Sequence, residues 1–227
     1  MPNRESLTSC FFVTSLVTPQ RWCRDPAQHD QTEKWGNDMG PTEQLSYILP
    51  TCSALVDRIQ VMQMNDPTPC EKFTVHDVLD HMMVLGGTFA YMFRGEQPPE
   101  PRPSGVYGWV PSKEFRIVMD DLLESVTSPG ALERTIESPL GPMDGETFAR
   151  LVAFDGLVHS WDLATATGQR LALPSEVVDA VSSFAHAALT DDMRDGDTFK
   201  DPTDAGPSAG AIEQLAAFSG RTVPAAG

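Results

Sequence analysis

The residues with the clearest chemical potential lie in Phe148-Ala-Arg-Leu-Val-Ala-Phe-Asp155-Gly-Leu-Val-His159-Ser-Trp161-Asp162. On a helix turning about 100° per residue, Asp155 and His159 project from the same side. Phe148, Leu151, Val152 and Val158 fall within about 60° of Asp155. A carboxylate and an imidazole therefore share an apolar, core-facing stripe. An ionised carboxylate buried there needs a cation, a salt bridge or a proton. A second imidazole, His81, shares a helical stripe with Val78, Val84, Leu85, Thr88, Phe89 and Met92. Two imidazoles and one carboxylate from facing helices would make a three-ligand metal site with a position left for water or substrate. The plainer alternatives are a hydrogen-bonded structural Asp/His pair and a core histidine satisfied by packing.

Other candidates carry weaker signals. Asp162 projects within about 20° of Asp155, so it could orient an imidazole as a hydrogen-bond acceptor; equally it could be a surface carboxylate at a helix end. His76 projects about 140° from His81, and His186 stands among alanines, so both read as surface or packing residues. His29 carries no role. Trp161 reads as packing, Cys70 as an inert buried thiol ahead of a helix, and Met62, Met64, Met82, Met83 and Met92 as core filler. No catalytic residue is assigned beyond the metal centre itself.

These residues need helices to hold them, and the dominant period after Gly40 is helical. Leu45, Ile48, Leu49, Cys52, Val56 and Ile59 predict a first helix from about Thr42 to Met64, with Pro50 kinking it or marking its true start. Thr74 and Asp77 form a capping-box-like start for a second helix, running to about Arg94. A Pro/Gly-rich loop covers Glu96 to Pro111, and Ser112 caps a third helix with Phe115, Val118, Met119, Leu122 and Val126 on one stripe. Glu133 to Gly145 reads as a short hairpin or irregular crossover. Helices follow over Glu146 to Thr167, stopped by Gly168, over Pro174 to about Leu189, and over Ala211 to Phe218. The expected fold class is all-α: a four-helix bundle with short C-terminal helical additions and a small hairpin before the fourth helix.

The chain has 227 residues, enough for one domain with appendages. Residues 1–40 read as a disordered tail and residues 41–227 as a single helical domain. Met39 offers an alternative start that would leave the earlier residues outside the native protein. Ser6 to Val17 is a poor secretory signal, because Thr and Ser interrupt it and Thr18-Pro19-Gln20-Arg21 replaces a cleavage site. With 32 acidic and 16 basic residues the formal charge is -16, the wrong sign for binding nucleic acid or an anionic membrane surface. No stretch approaches the roughly 18 apolar residues of a membrane span. Cys10, Cys23, Cys52 and Cys70 show neither a C-x-x-C pair nor regular spacing, which fits a reducing cytoplasm. Exposed helix faces leave room for a homodimer.

Two stretches carry a family resemblance: Pro67-Thr-Pro-Cys-Glu-Lys-Phe-Thr-Val-His-Asp-Val-Leu-Asp-His81 and Asp155-Gly-Leu-Val-His-Ser-Trp-Asp-Leu-Ala-Thr-Ala-Thr-Gly168. The run from Pro129-Gly-Ala-Leu-Glu-Arg to Pro142-Met-Asp-Gly145 and Phe218-Ser-Gly-Arg221 add to it. Together they resemble the actinobacterial branch of the DinB/YfiT-like superfamily, close to the metal-binding domain of mycothiol-dependent maleylpyruvate isomerases. The resemblance covers nearly everything after residue 40.

It implies a DinB-like four-helix bundle whose divalent metal is held by His81, Asp155 and His159. Zinc is the expected ion, with nickel, iron or manganese as alternatives. It further implies a small-molecule thiol such as mycothiol, acidified by the metal, attacking an electrophilic substrate. Asp155 replaces the isomerase's longer glutamate, which bears on metal choice and reach; Phe73 stands where a tryptophan is common, and the shorter C-terminal region leaves the isomerase's own substrate open for this chain. The expected function is thus a metal- and thiol-dependent transferase or isomerase. The alternatives are a non-catalytic metal-binding module serving as a sensor or stress-response interaction protein, and a non-haem iron oxygenase, whose metal site also uses two histidines and a carboxylate.

Overall fold

The computed structural model describes residues 39–99, 112–138, 141–191, 194 and 200–224. The tail 1–38 with Cys10, Cys23 and His29, and most of the loop before Ser112, lie outside the described residues. Among those described, the elements are α1 (Pro41–Val56), a single 3-10 turn (Val61–Gln63), α2 (Val75–Arg94), α3 (Ser112–Thr127), β1 (Thr135–Ser138), β2 (Gly141–Asp144), α4 (Gly145–Thr167), α5 (Ser175–Ala188) and α6 (Ala211–Phe218). The protein is mostly helical, with one small antiparallel hairpin. None of these helices is long and apolar enough to cross a membrane.

Local chemistry explains most boundaries. Gly40 precedes α1 and Pro41 opens it, where proline's missing N–H costs nothing. Thr74 and Asp77 cap α2 reciprocally: the Asp77 N–H donates to Thr74 Oγ1 at 3.3 Å and the Thr74 N–H to Asp77 Oδ2 at 2.9 Å. Asp144 caps α4 by accepting the Thr147 N–H at 2.7 Å. Gly95 and Gly168 end α2 and α4 in the left-handed conformation. Ser112 is the first residue of α3 rather than a residue ahead of it.

The first helix departs from its periodicity, ending at Val56 rather than near Met64. Beyond Val56 the chain turns to cover the end of α4. Gln63 Nε2 donates to the Thr167 carbonyl at 3.1 Å, and Gln169 Nε2 returns a bond to the Leu55 carbonyl at 3.3 Å. Each helix C-terminus thus receives a side-chain donor from the chain just beyond the other, which a continuous helix would forgo. Met62, in the intervening 3-10 turn, is 79% exposed and is not core filler. Pro50 stays inside α1 on its exposed side.

The hairpin pairs Thr135 with Asp144 and Ile136 with Met143, and its Ile136 enters the core. It delivers the chain to Gly145, where an added Cβ would lie 2.1 Å from the Ala131 carbonyl oxygen. Only glycine fits there.

Helix α1 packs on α3 and α4, and α2 on α3 and α4. The hairpin, α5 and α6 also lie against α4. Consequently α4 is buried on every side from Phe148 to Ala164, where its pattern suggested one buried stripe. The C-terminal helices are part of that enclosure. Met39 also packs against the core, and its carbonyl accepts from Gln44 Nε2 at 2.7 Å.

Candidate metal centre

Helices α2 and α4 pack together and bring His81 opposite Asp155 and His159. One donor atom from each of the three lies within 4.8 Å of the other two. The two imidazole rings meet edge to face, centroids 4.9 Å apart, and His159 Nε2 stands 3.5 Å from Asp155 Oδ1. His81 and Asp155 are each 6% exposed and His159 is fully buried. Phe73, at the end of the loop entering α2, also meets His81 edge to face, at 5.7 Å between ring centroids.

His81 Nε2 and Asp155 Oδ1 are buried and make no hydrogen bond among the described residues. Such atoms carry a desolvation cost that a cation would offset, and imidazole nitrogen with carboxylate oxygen is a donor set that zinc and its neighbours accept. The three residues therefore fit a divalent metal. Burial above all, with the neighbouring Arg221 charge and the nearby His159 ring adding to it, pushes His81 well below the usual histidine range, so it is neutral and able to ligate. Burial pushes the Asp155 carboxyl upward, partly countered by His159 and Arg221.

Asp162 is fully buried, not a surface carboxylate, and its Oδ2 lies 3.0 Å from His159 Nδ1. A carboxylate accepts at that contact, which assigns the proton to Nδ1 and leaves Nε2 with its lone pair toward His81 and Asp155. Burial alone would raise the Asp162 pKa; the Arg221 charge and the His159 hydrogen bond outweigh it and hold the carboxyl below the usual range. Arg221 closes on it with Nη2 at 3.0 Å from Oδ2 and Nε at 3.4 Å from Oδ1. Residue patterning gave Arg221 no role of its own. The available signal was general: inward-facing carboxylates need a cation, and the sequence does not say which.

His76 is half-buried beside Asp77, and exposed His186 stacks on Phe218 with ring centroids 3.9 Å apart, so neither joins the site. Trp161 is buried in packing. Cys70 is disulfide-bonded, so it is not the free thiol expected from the cysteine spacing. Its sulfur approaches His159 and Asp162 closely enough to form a second donor group, but a disulfide sulfur is not the thiolate that ligates metals. Cys52 is free, buried and inert, its pKa pushed up to about 12 by burial.

Acid should loosen the metal-free fold between about pH 7 and pH 5. The unfolded chain binds a proton at His81 below about pH 6.5, whereas the folded chain resists it, so this contribution is present above that pH and fades below it. Asp155 acts with opposite sign, since its raised pKa makes protonation on acidification favour the fold. Asp162 loses its contribution only below the ordinary carboxylate range. Melting temperatures of the metal-free protein and of His81→Asn across this window test the assignment; an unchanged pH slope in the variant would refute it.

Fold and site together define a predominantly helical protein with a buried two-histidine, one-aspartate donor group at its centre. The chain belongs to the same family as two Mycobacterium tuberculosis proteins, uncharacterized protein Rv0738 of strain H37Rv and uncharacterized protein MT0763 of strain CDC 1551. It is 33% identical to each over 172 residues, spanning 75% of this chain and 92% of each relative. No family model matches the chain, and no solved structure matches it.

Proposed function

We propose that this protein is a metal- and thiol-dependent transferase or isomerase acting on a small electrophile, built on a DinB-like four-helix bundle, with His81, Asp155 and His159 as ligands to zinc or a related divalent ion. The observation that carries the reading is the convergence of three buried donor groups from α2 and α4, with their atoms within 4.8 Å of one another. The thiol and substrate classes rest on the sequence resemblance.

A divalent ion in this site would acidify a bound thiol, turning a weak nucleophile at neutral pH into a strong one. The chain's own part is to orient and to exclude water. His81 presents a neutral nitrogen, Asp155 supplies negative charge, and Asp162 fixes the His159 tautomer. Phe73 walls the His81 side.

The near-complete burial of all three ligands also supports a second reading, a non-catalytic metal-binding module. Elemental analysis of natively purified protein, followed by turnover of a generic electrophile with mycothiol, separates the two. About one divalent ion per chain and thiol-dependent turnover are expected. Metal without turnover favours the module, and absence of metal overturns both readings.

A further inference from the structure

We propose that Arg221 is a positioning residue for the metal centre, holding Asp162 so that His159 presents Nε2 to the ion, and that the C-terminal arm is thereby a working part of the site. The inference rests on the reading that His81, Asp155 and His159 hold the metal.

The link is continuous. Arg221 reaches both oxygens of Asp162, at 3.0 and 3.4 Å, and the oxygen taking the shorter of those bonds also faces His159 Nδ1 at 3.0 Å. Asp162 is fully buried and Arg221 6% exposed. A guanidinium fork restricts the carboxylate plane as a single-point ammonium does not, so the plane that faces the imidazole is set from the far side.

The chain around Arg221 is shaped for this delivery. Helix α6 ends at Phe218, and Gly220 adopts φ +91, where a Cβ would lie 2.6 Å from Lys200 Cβ and 3.2 Å from Lys200 Cα. Glycine alone takes that turn without strain. The Arg221 N–H then donates to the Ala216 carbonyl at 3.0 Å, and its own carbonyl accepts from Thr203 Oγ1. The residue is fixed at both backbone groups before its side chain enters the core. A surface arginine needs none of this.

The test is binding of cobalt(II) and zinc to the full-length metal-free protein, read by cobalt d–d absorption and by competition with a chelator. Arg221→Met should lose about 10- to 100-fold in metal affinity and change the cobalt spectrum. Arg221→Lys, which keeps the charge but not the fork, should recover part of the affinity. Circular dichroism melts check that each metal-free variant is folded; should Arg221→Met not fold, the lysine variant decides, with affinity and spectrum below wild type expected. Wild-type affinity and spectrum in a folded Arg221→Met, or in Arg221→Lys when it must decide, overturn the inference alone. A wild-type protein that binds neither ion overturns the metal reading as well.

Discussion

Alanine in place of His159 is expected to abolish stoichiometric metal binding, lowering affinity by more than about 100-fold, beyond the effect typical of a supporting residue. His159 is the most deeply buried of the three proposed ligands and contacts both others: its ring meets that of His81 edge to face, and its Nε2 stands 3.5 Å from Asp155. Two ligands remaining on separate helices hold an ion poorly, because each must then be ordered without the other's help. Metal content of His159→Ala and wild type purified side by side checks this. Equal content would show that the ion, if present, is bound elsewhere.

The largest stability effect is expected at Asp162. Replacement by alanine removes a fully buried carboxylate from between His159 and Arg221 and leaves the guanidinium buried without this counter-charge. Breaking a buried pair from one side costs about 3–5 kcal/mol, because the remaining charge keeps its desolvation penalty. Asp162→Asn, which preserves shape and an acceptor oxygen, should cost less. Denaturant melts of the metal-free proteins measure both changes directly. A loss below about 1 kcal/mol in Asp162→Ala would mean that water reaches the guanidinium and that the pair is effectively exposed.

Much of the architecture was legible in residue order because its determinants are local. Thr74 with Asp77 marks a helix start through bonds made within four residues, and Gly168 marks an end because the required backbone conformation favours glycine. The helical projection also found His81, Asp155 and His159, since a charged or polar group on an apolar stripe is conspicuous. What escaped it was non-local. The end of α1 is accompanied by bonds across more than a hundred residues of sequence, from Gln63 to the Thr167 carbonyl and from Gln169 to the Leu55 carbonyl, and Met62 is exposed as part of that detour. Asp162 read equally well as surface or interior until its partner was known. Arg221 lies 59 residues beyond it, and no periodicity connects a turn after α6 to the middle of α4.

That separation has a kinetic meaning. A contact closing so long a loop meets its entropic cost only after the intervening elements have docked, so it is expected to form late in folding. Late contacts govern how fast a native protein comes apart more than how fast it assembles. On this view the Asp162–Arg221 pair acts as a latch: it contributes little to the search for the fold, and it slows the opening that would let water into the core around His81, Asp155 and His159.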